Sequence, residues 1–202
     1  MSRFRFRGVD GGDIAPKEWL RIWAGRYPSK KYYAEEYDAV IRNYKSLSAA
    51  DFERIGKWKD GAKTQGKWKA NVASVAYEIW MQAAKATPAC PEESQVAAFL
   101  DDWRERKYTD HFTSRTMEKQ FGLSRATTLL HFVSGGRFPI FDKRVRKAIA
   151  RLLNCSVPNE IPWYLDSYCP LIKEIAALSG TEDLRTVDKA LFSYGGNLQF
   201  PN

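Results

Sequence analysis

Cysteine and histidine are scarce in this chain of 202 residues, which holds Cys90, Cys155 and Cys169 and only His111 and His131. The cysteines are odd in number, far apart and never in C-x-x-C spacing. They suit reduced thiols better than a disulfide framework. So few scattered ligands also argue against a structural zinc or an iron–sulfur cluster, and no other cofactor is indicated. Long hydrophobic runs are missing as well. No stretch approaches the roughly 20 apolar residues that cross a bilayer. The opening MSRFRFRGVDGG lacks the apolar core of a signal peptide, so a cytoplasmic protein is expected, nucleoid-associated if bacterial. No helical pattern combines a basic face with a lipid-facing stripe, and membrane binding is not expected. Internal repeats, low-complexity tracts and sustained period-two alternation are all lacking, so nothing in the pattern predicts a sheet.

Aromatic residues and positive charge are plentiful. Seven Trp, ten Tyr and eleven Phe can fill a core or stack on bases. Thirty-two Lys and Arg against 24 Asp and Glu leave a formal charge of +8, which favours a polyanionic partner through counterion release. The expected fold is all-α. After an arm of alternating Arg and Phe closed by Gly11-Gly12, the apolar spacing is helical almost throughout. Tyr33, Tyr37, Val40, Ile41 and Tyr44 form one stripe. Ser48 and Asp51 make a capping box that opens a helix through Ile55. Trp68 to Ala83 is the longest amphipathic run, and Val96 to Trp103 the next. Further helices are predicted at 114–121, 124–134, 142–153, 171–178 and 184–192. Polar, Pro-containing stretches at 86–93 and 154–163 suggest connections between a first lobe (13–90), a second (94–153) and C-terminal helices (160–200) completing one unit.

Residues 113–149, TSRTMEKQFGLSRATTLLHFVSGGRFPIFDKRVRKAI, carry the chemistry. They read as a helix, a tight turn (Phe121-Gly122-Leu123-Ser124), a second helix capped by Ser124, a Gly-Gly-Arg loop, and Pro139-x-x-Asp142 opening a third helix. A hairpin of this kind presents amide N–H groups and a helix N-terminus to a phosphate without reading a base. Lys119 and Arg125 flank the turn, and Gly122, Leu123 and Ser124 form it. This segment resembles the helix-hairpin-helix/Gly-Pro-Asp DNA glycosylase superfamily. Its 8-oxoguanine-glycosylase-like branch is the nearest in the phrase LLHFVSGGRFPIFDKRV. The usual Leu-Pro-Gly-Val-Gly wording of the hairpin is missing, and the likeness covers about 40 residues.

The resemblance implies two helical lobes around a cleft and a double-stranded DNA partner with one modified base flipped out. It also implies a catalytic carboxylate at Asp142. Rupture of an N-glycosidic bond builds positive charge on the sugar, which a fixed carboxylate near C1′ stabilises. Bifunctional members attack the sugar with a lysine at the position that Arg125 occupies here. Arginine is too basic to form a Schiff base, so a monofunctional enzyme is implied and lyase activity is doubtful. A DNA-binding module that kept the hairpin and lost the chemistry is the alternative.

Other candidates have two readings. Lys143, Lys147 and Arg151, which recur at four-residue spacing, form a DNA-facing ridge or a solvated helix face, and Arg144 adds to either. Lys57, Trp58 and Lys59, with Trp68 between Lys67 and Lys69, form a Gly-containing nucleic-acid-contacting loop or packed tryptophans with snorkelling lysines. Trp58, Trp68 and His131 are candidates for the base pocket, although His131, beside Leu130 and Phe132, equally suits a satisfied core residue. Asp142 and Gly122 also suit an ordinary N-cap and an ordinary helix end.

Overall fold

A computed structural model describes residues 3–28, 34–60, 79–110 and 117–196. The described chain is mostly helical, as expected, and divides into two compact units. These are not the predicted lobes: one unit joins residues 1–27 to 139–202, and the other is 28–138. The terminal arm cannot be assigned from periodicity, because what holds it is a distant helix. Arg5 N–H donates to Leu152 O at 2.8 Å, while Phe4 and Phe6 are buried.

In the first unit, α1 (Pro16–Gly25) begins with proline at its first position, where the missing N–H costs nothing. It buries Trp19 and Trp23, whose rings meet Tyr194 edge-on at 5.6 and 5.2 Å. Tyr194 lies on α10 (Leu184–Gly196), which packs on both α1 and α7 (Lys143–Leu153). α7 buries Val145, Ala148, Ile149 and Leu152 and ends on Asn154 in the left-handed conformation. A short turn, α8 (Ile161–Trp163), leads through a π-helical turn (Tyr164–Tyr168) into α9 (Cys169–Leu178).

In the second unit, α2 (Ala34–Arg42) packs on α3 (Ala49–Asp60), and α5 (Val96–Glu105) on α6 (Gly122–Val133). The residues 79–86, here α4, are the described end of the long amphipathic run. Its Trp80 meets Phe121 at 5.3 Å. The capping box of α3 is present: Ser48 N–H donates to Asp51 Oδ2 at 2.9 Å and Asp51 N–H to Ser48 Oγ at 3.3 Å. Burial pushes the Asp51 carboxyl up, but bonds from Ser48 and Arg54 outweigh it and hold the group below its ordinary value.

One predicted helix is replaced by a strand. β1 (Lys107–Asp110) and β2 (Met117–Gln120) pair antiparallel, with Lys107 opposite Gln120 and Tyr108 opposite Lys119. The ladder continues as Phe121 N–H donates to Arg106 O at 2.8 Å. Four residues are too few to show period-two alternation, and the pairing partner ten positions upstream decides the conformation. The element before Gly122 is therefore a strand, and among the described residues from Met117 on the expected first helix of the helix–turn–helix is not formed.

Candidate functional site

Asp142 is held where the sequence pattern put it. It is the N-cap of α7, in extended conformation (φ −105°, ψ 176°). Its Oδ1 accepts from Arg144 N–H at 2.8 Å and Val145 N–H at 3.0 Å. These bonds satisfy two amides that a helix start leaves over and fix the direction of the carboxylate. The residue is half-buried, neither sealed in the core nor fully solvated. Next to it, Lys143, Arg144 and Lys147 are exposed. α7 also carries Arg146 and Arg151 and has no acidic residue. The Arg144 guanidinium lies 4.4 Å from the Phe192 ring centre, and Arg151 donates to Tyr194 O at 2.8 Å. Charge on this helix is thus of one sign, with the carboxylate at its N-terminal end.

The segment leading into Asp142 is tied down on successive residues. Tyr164 Oη donates to Pro139 O at 2.8 Å, and Tyr168 Oη to Ile140 O at 2.9 Å. Pro139, Ile140 and Phe141 are buried. The Phe141 ring stacks on Trp163 at 5.6 Å and meets Tyr168 at 4.8 Å. Both tyrosine hydroxyls are held far above their ordinary titration range by burial, so each remains a neutral donor. Sequence reading missed them. Their i, i+4 spacing in WYLDSYCP marks one helix face and nothing more.

The chain matches no family model, no curated protein and no solved structure.

In the second unit the turn residues stand differently from expectation. Gly122 opens α6 with φ +76° and open space where a side chain would be, while Leu123 is buried. Ser124 lies inside the helix rather than capping it, and its carbonyl accepts from Thr127 and Thr128 hydroxyls at 3.2 and 2.7 Å. Arg125 faces Asp60: its Nε lies 3.3 Å from Oδ2 and its Nη2 3.4 Å from Oδ1. Asp60, 3% exposed, also accepts from Trp80 Nε1 at 3.1 Å. The guanidinium is thus engaged in a half-buried pair. Lys119 sits in β2, opposite Tyr108.

The lysine–tryptophan stretch begins as helix, not loop. Residues 57–60 are the last turn of α3, continuing the stripe of Phe52 and Ile55 beyond the predicted end at Ile55. Trp58 is buried against Tyr37 and Phe132 at 5.5 Å each. Lys57 is exposed and paired with Glu53 at 3.0 Å, and Lys59 is half-buried. His131 is a satisfied core residue: its Nε2 is 2.8 Å from Tyr37 Oη and its Nδ1 2.7 Å from Phe138 O. Because a carbonyl only accepts, Nδ1 carries the proton. Trp58 and His131 thus share the ring of Tyr37 in a closed cluster. Trp68 and its flanking lysines lie outside the described residues.

No group of three potential metal ligands occurs among the described residues, and none of their helices is long and apolar enough to cross a membrane.

Proposed function

We propose that the chain is a monofunctional DNA glycosylase in which Asp142 is the carboxylate that stabilises the sugar cation and orients the attacking water. The observation that carries this reading is the placement of Asp142: fixed in direction by two amides, half-buried, and followed by exposed cations on a helix without acids. A pre-oriented carboxylate costs no reorganisation when positive charge develops at C1′. The surrounding cations supply the phosphate attraction that holds a polyanion beside it. The order Gly-Gly-Arg, Pro139-x-x-Asp142, helix supports the same reading through its resemblance to the glycosylase superfamily.

Two features narrow the proposal. Arg125 stands where a Schiff-base lysine would be, which favours hydrolysis by water over lyase chemistry. The strand before Gly122 removes the first helix of the hairpin, so the phosphate grip falls to α7, with Lys143, Arg144 and Lys147, rather than to residues 119–125. The substrate is a damaged or modified base, drawn from oxidised purines, alkylated bases or hypermodified bases.

The test is incubation with duplexes carrying each class of modified base, followed by alkali and by borohydride in parallel. Strand scission after alkali without a trapped covalent adduct is expected. Tight, salt-sensitive binding with no scission on any duplex would instead identify a catalytically silent DNA-binding protein. A borohydride-trapped adduct would refute the monofunctional assignment.

A further inference from the structure

The loop that delivers Asp142 is held in an unusual way. A peptide unit is planar, so fixing a carbonyl fixes the whole plane it belongs to. Tyr164 fixes the plane after Pro139, and Tyr168 fixes the plane after Ile140. Between the second plane and the Cα of Asp142 only the φ and ψ of Phe141 stay soft. Those are restrained in turn, because the Phe141 ring is fully buried and packed on Trp163, Tyr164 and Tyr168. The two tyrosines come from a π-helical turn, a rare departure from the α-helix that recurs at functional sites.

We infer that Tyr164 and Tyr168 are positioning residues for Asp142, each acting through one carbonyl of the Pro139–Ile140 segment. This inference rests on the proposed role of Asp142 for its catalytic meaning, but not for its structural content. Buried tyrosine hydroxyls need an acceptor somewhere. Here both are spent on the two consecutive carbonyls that lie just before the carboxylate and its adjoining buried ring. Loss of either hydroxyl leaves the ring in place and frees one peptide plane. The carboxylate then samples directions in which Arg144 and Val145 amides are no longer bonded.

Tyr164→Phe, Tyr168→Phe and the double variant test this, with two readouts. Native-state hydrogen exchange at the Arg144 and Val145 amides reports the carboxylate without any need for activity. The double variant should exchange there about tenfold faster, with the Ile149 amide in the middle of α7 within about twofold of the wild type. Single-turnover base release should fall by roughly tenfold to a hundredfold while DNA affinity changes less than about twofold, since a misplacement of about 1 Å costs rate rather than binding. Unchanged exchange at Arg144 and Val145 in the double variant overturns the inference, even if base release depends on Asp142. Acceleration spread evenly along α7 overturns it too, since that marks general loosening. If the wild-type protein releases no base at all and exchange is still accelerated at those two amides, the positioning stands and the glycosylase reading falls.

Discussion

Gly195 and Gly196 are adjacent glycines at the end of α10, yet their surroundings differ enough to give opposite responses to alanine. A Cβ on Gly195 would lie 1.8 Å from Arg144 O and 3.1 Å from Ala148 N, both backbone atoms of α7. Ordinary carbon–oxygen contact begins near 3.3 Å, so α10 and α7 must part by roughly 1.5 Å to admit the methyl group. Separation on that scale strips the packing of Val145, Ala148, Leu191 and Tyr194, all at most 2% exposed. Overpacking of this kind costs about 3 kcal/mol, at the upper end of the usual range, and the better helix propensity of alanine returns about 1. Gly195→Ala should therefore destabilise the protein by about 2 kcal/mol. On Gly196 the nearest atom is the flexible Arg144 Nη1 at 3.4 Å, an ordinary contact. Gly196→Ala should be neutral or stabilising by up to about 1 kcal/mol. Thermal melting followed by circular dichroism should separate the two variants by roughly 4–12 °C for a chain of this length. Equal melting temperatures would show that the helices do not approach closely at Gly195.

Asp51→Asn should destabilise α3 by about 1 kcal/mol at neutral pH, because an accepting oxygen remains but the charge that strengthens the bonds from Ser48 and pairs with Arg54 is lost. The folded carboxyl titrates below its unfolded value, so its contribution is full above about pH 4 and is lost as pH falls through the lowered value. The gap in melting temperature between wild type and variant should accordingly shrink on acidification. A gap that widens there would contradict the hydrogen-bond assignment. Cys90 and Cys155 are exposed, whereas burial pushes the Cys169 thiol up to about 11. A thiol reagent at pH 8 should therefore label Cys90 and Cys155 quickly in the native protein and the half-buried Cys169 more slowly. Equal rates at all three would show that the Cys169 thiol is as open to solvent as the other two.

Much of the helical fold was legible because its elements obey local rules. Ser48 and Asp51 announce a start, Gly135 and Gly136 (φ +64° and +88°) an end, and Asp142 a cap, and each is found in that role. What escaped was decided at long range. β2 exists because β1 lies beside it, and no pattern within Met117–Gln120 encodes that partner. The division of the chain likewise follows from tertiary pairing of the arm with the end of α7 and of α1 with α10. Arg125 illustrates the limit for site residues. Its type and position suggested phosphate contact, but its orientation is set by Asp60, sixty-five residues earlier. Tyr164 and Tyr168 were invisible as functional candidates for a related reason: what distinguishes them from core tyrosines is the identity of their acceptors.

The most direct measurement of the proposed role of the Asp142 carboxylate is single-turnover base release by Asp142→Asn beside the wild type on the same duplex. Asparagine keeps an oxygen to accept from the Arg144 and Val145 amides while removing the charge, so folding and DNA affinity should persist. Base release by the wild type is expected, with a fall of at least about a hundredfold in the variant at unchanged affinity, the scale of loss seen when a pre-oriented electrostatic group is removed. Release by the variant at the wild-type rate would contradict that role.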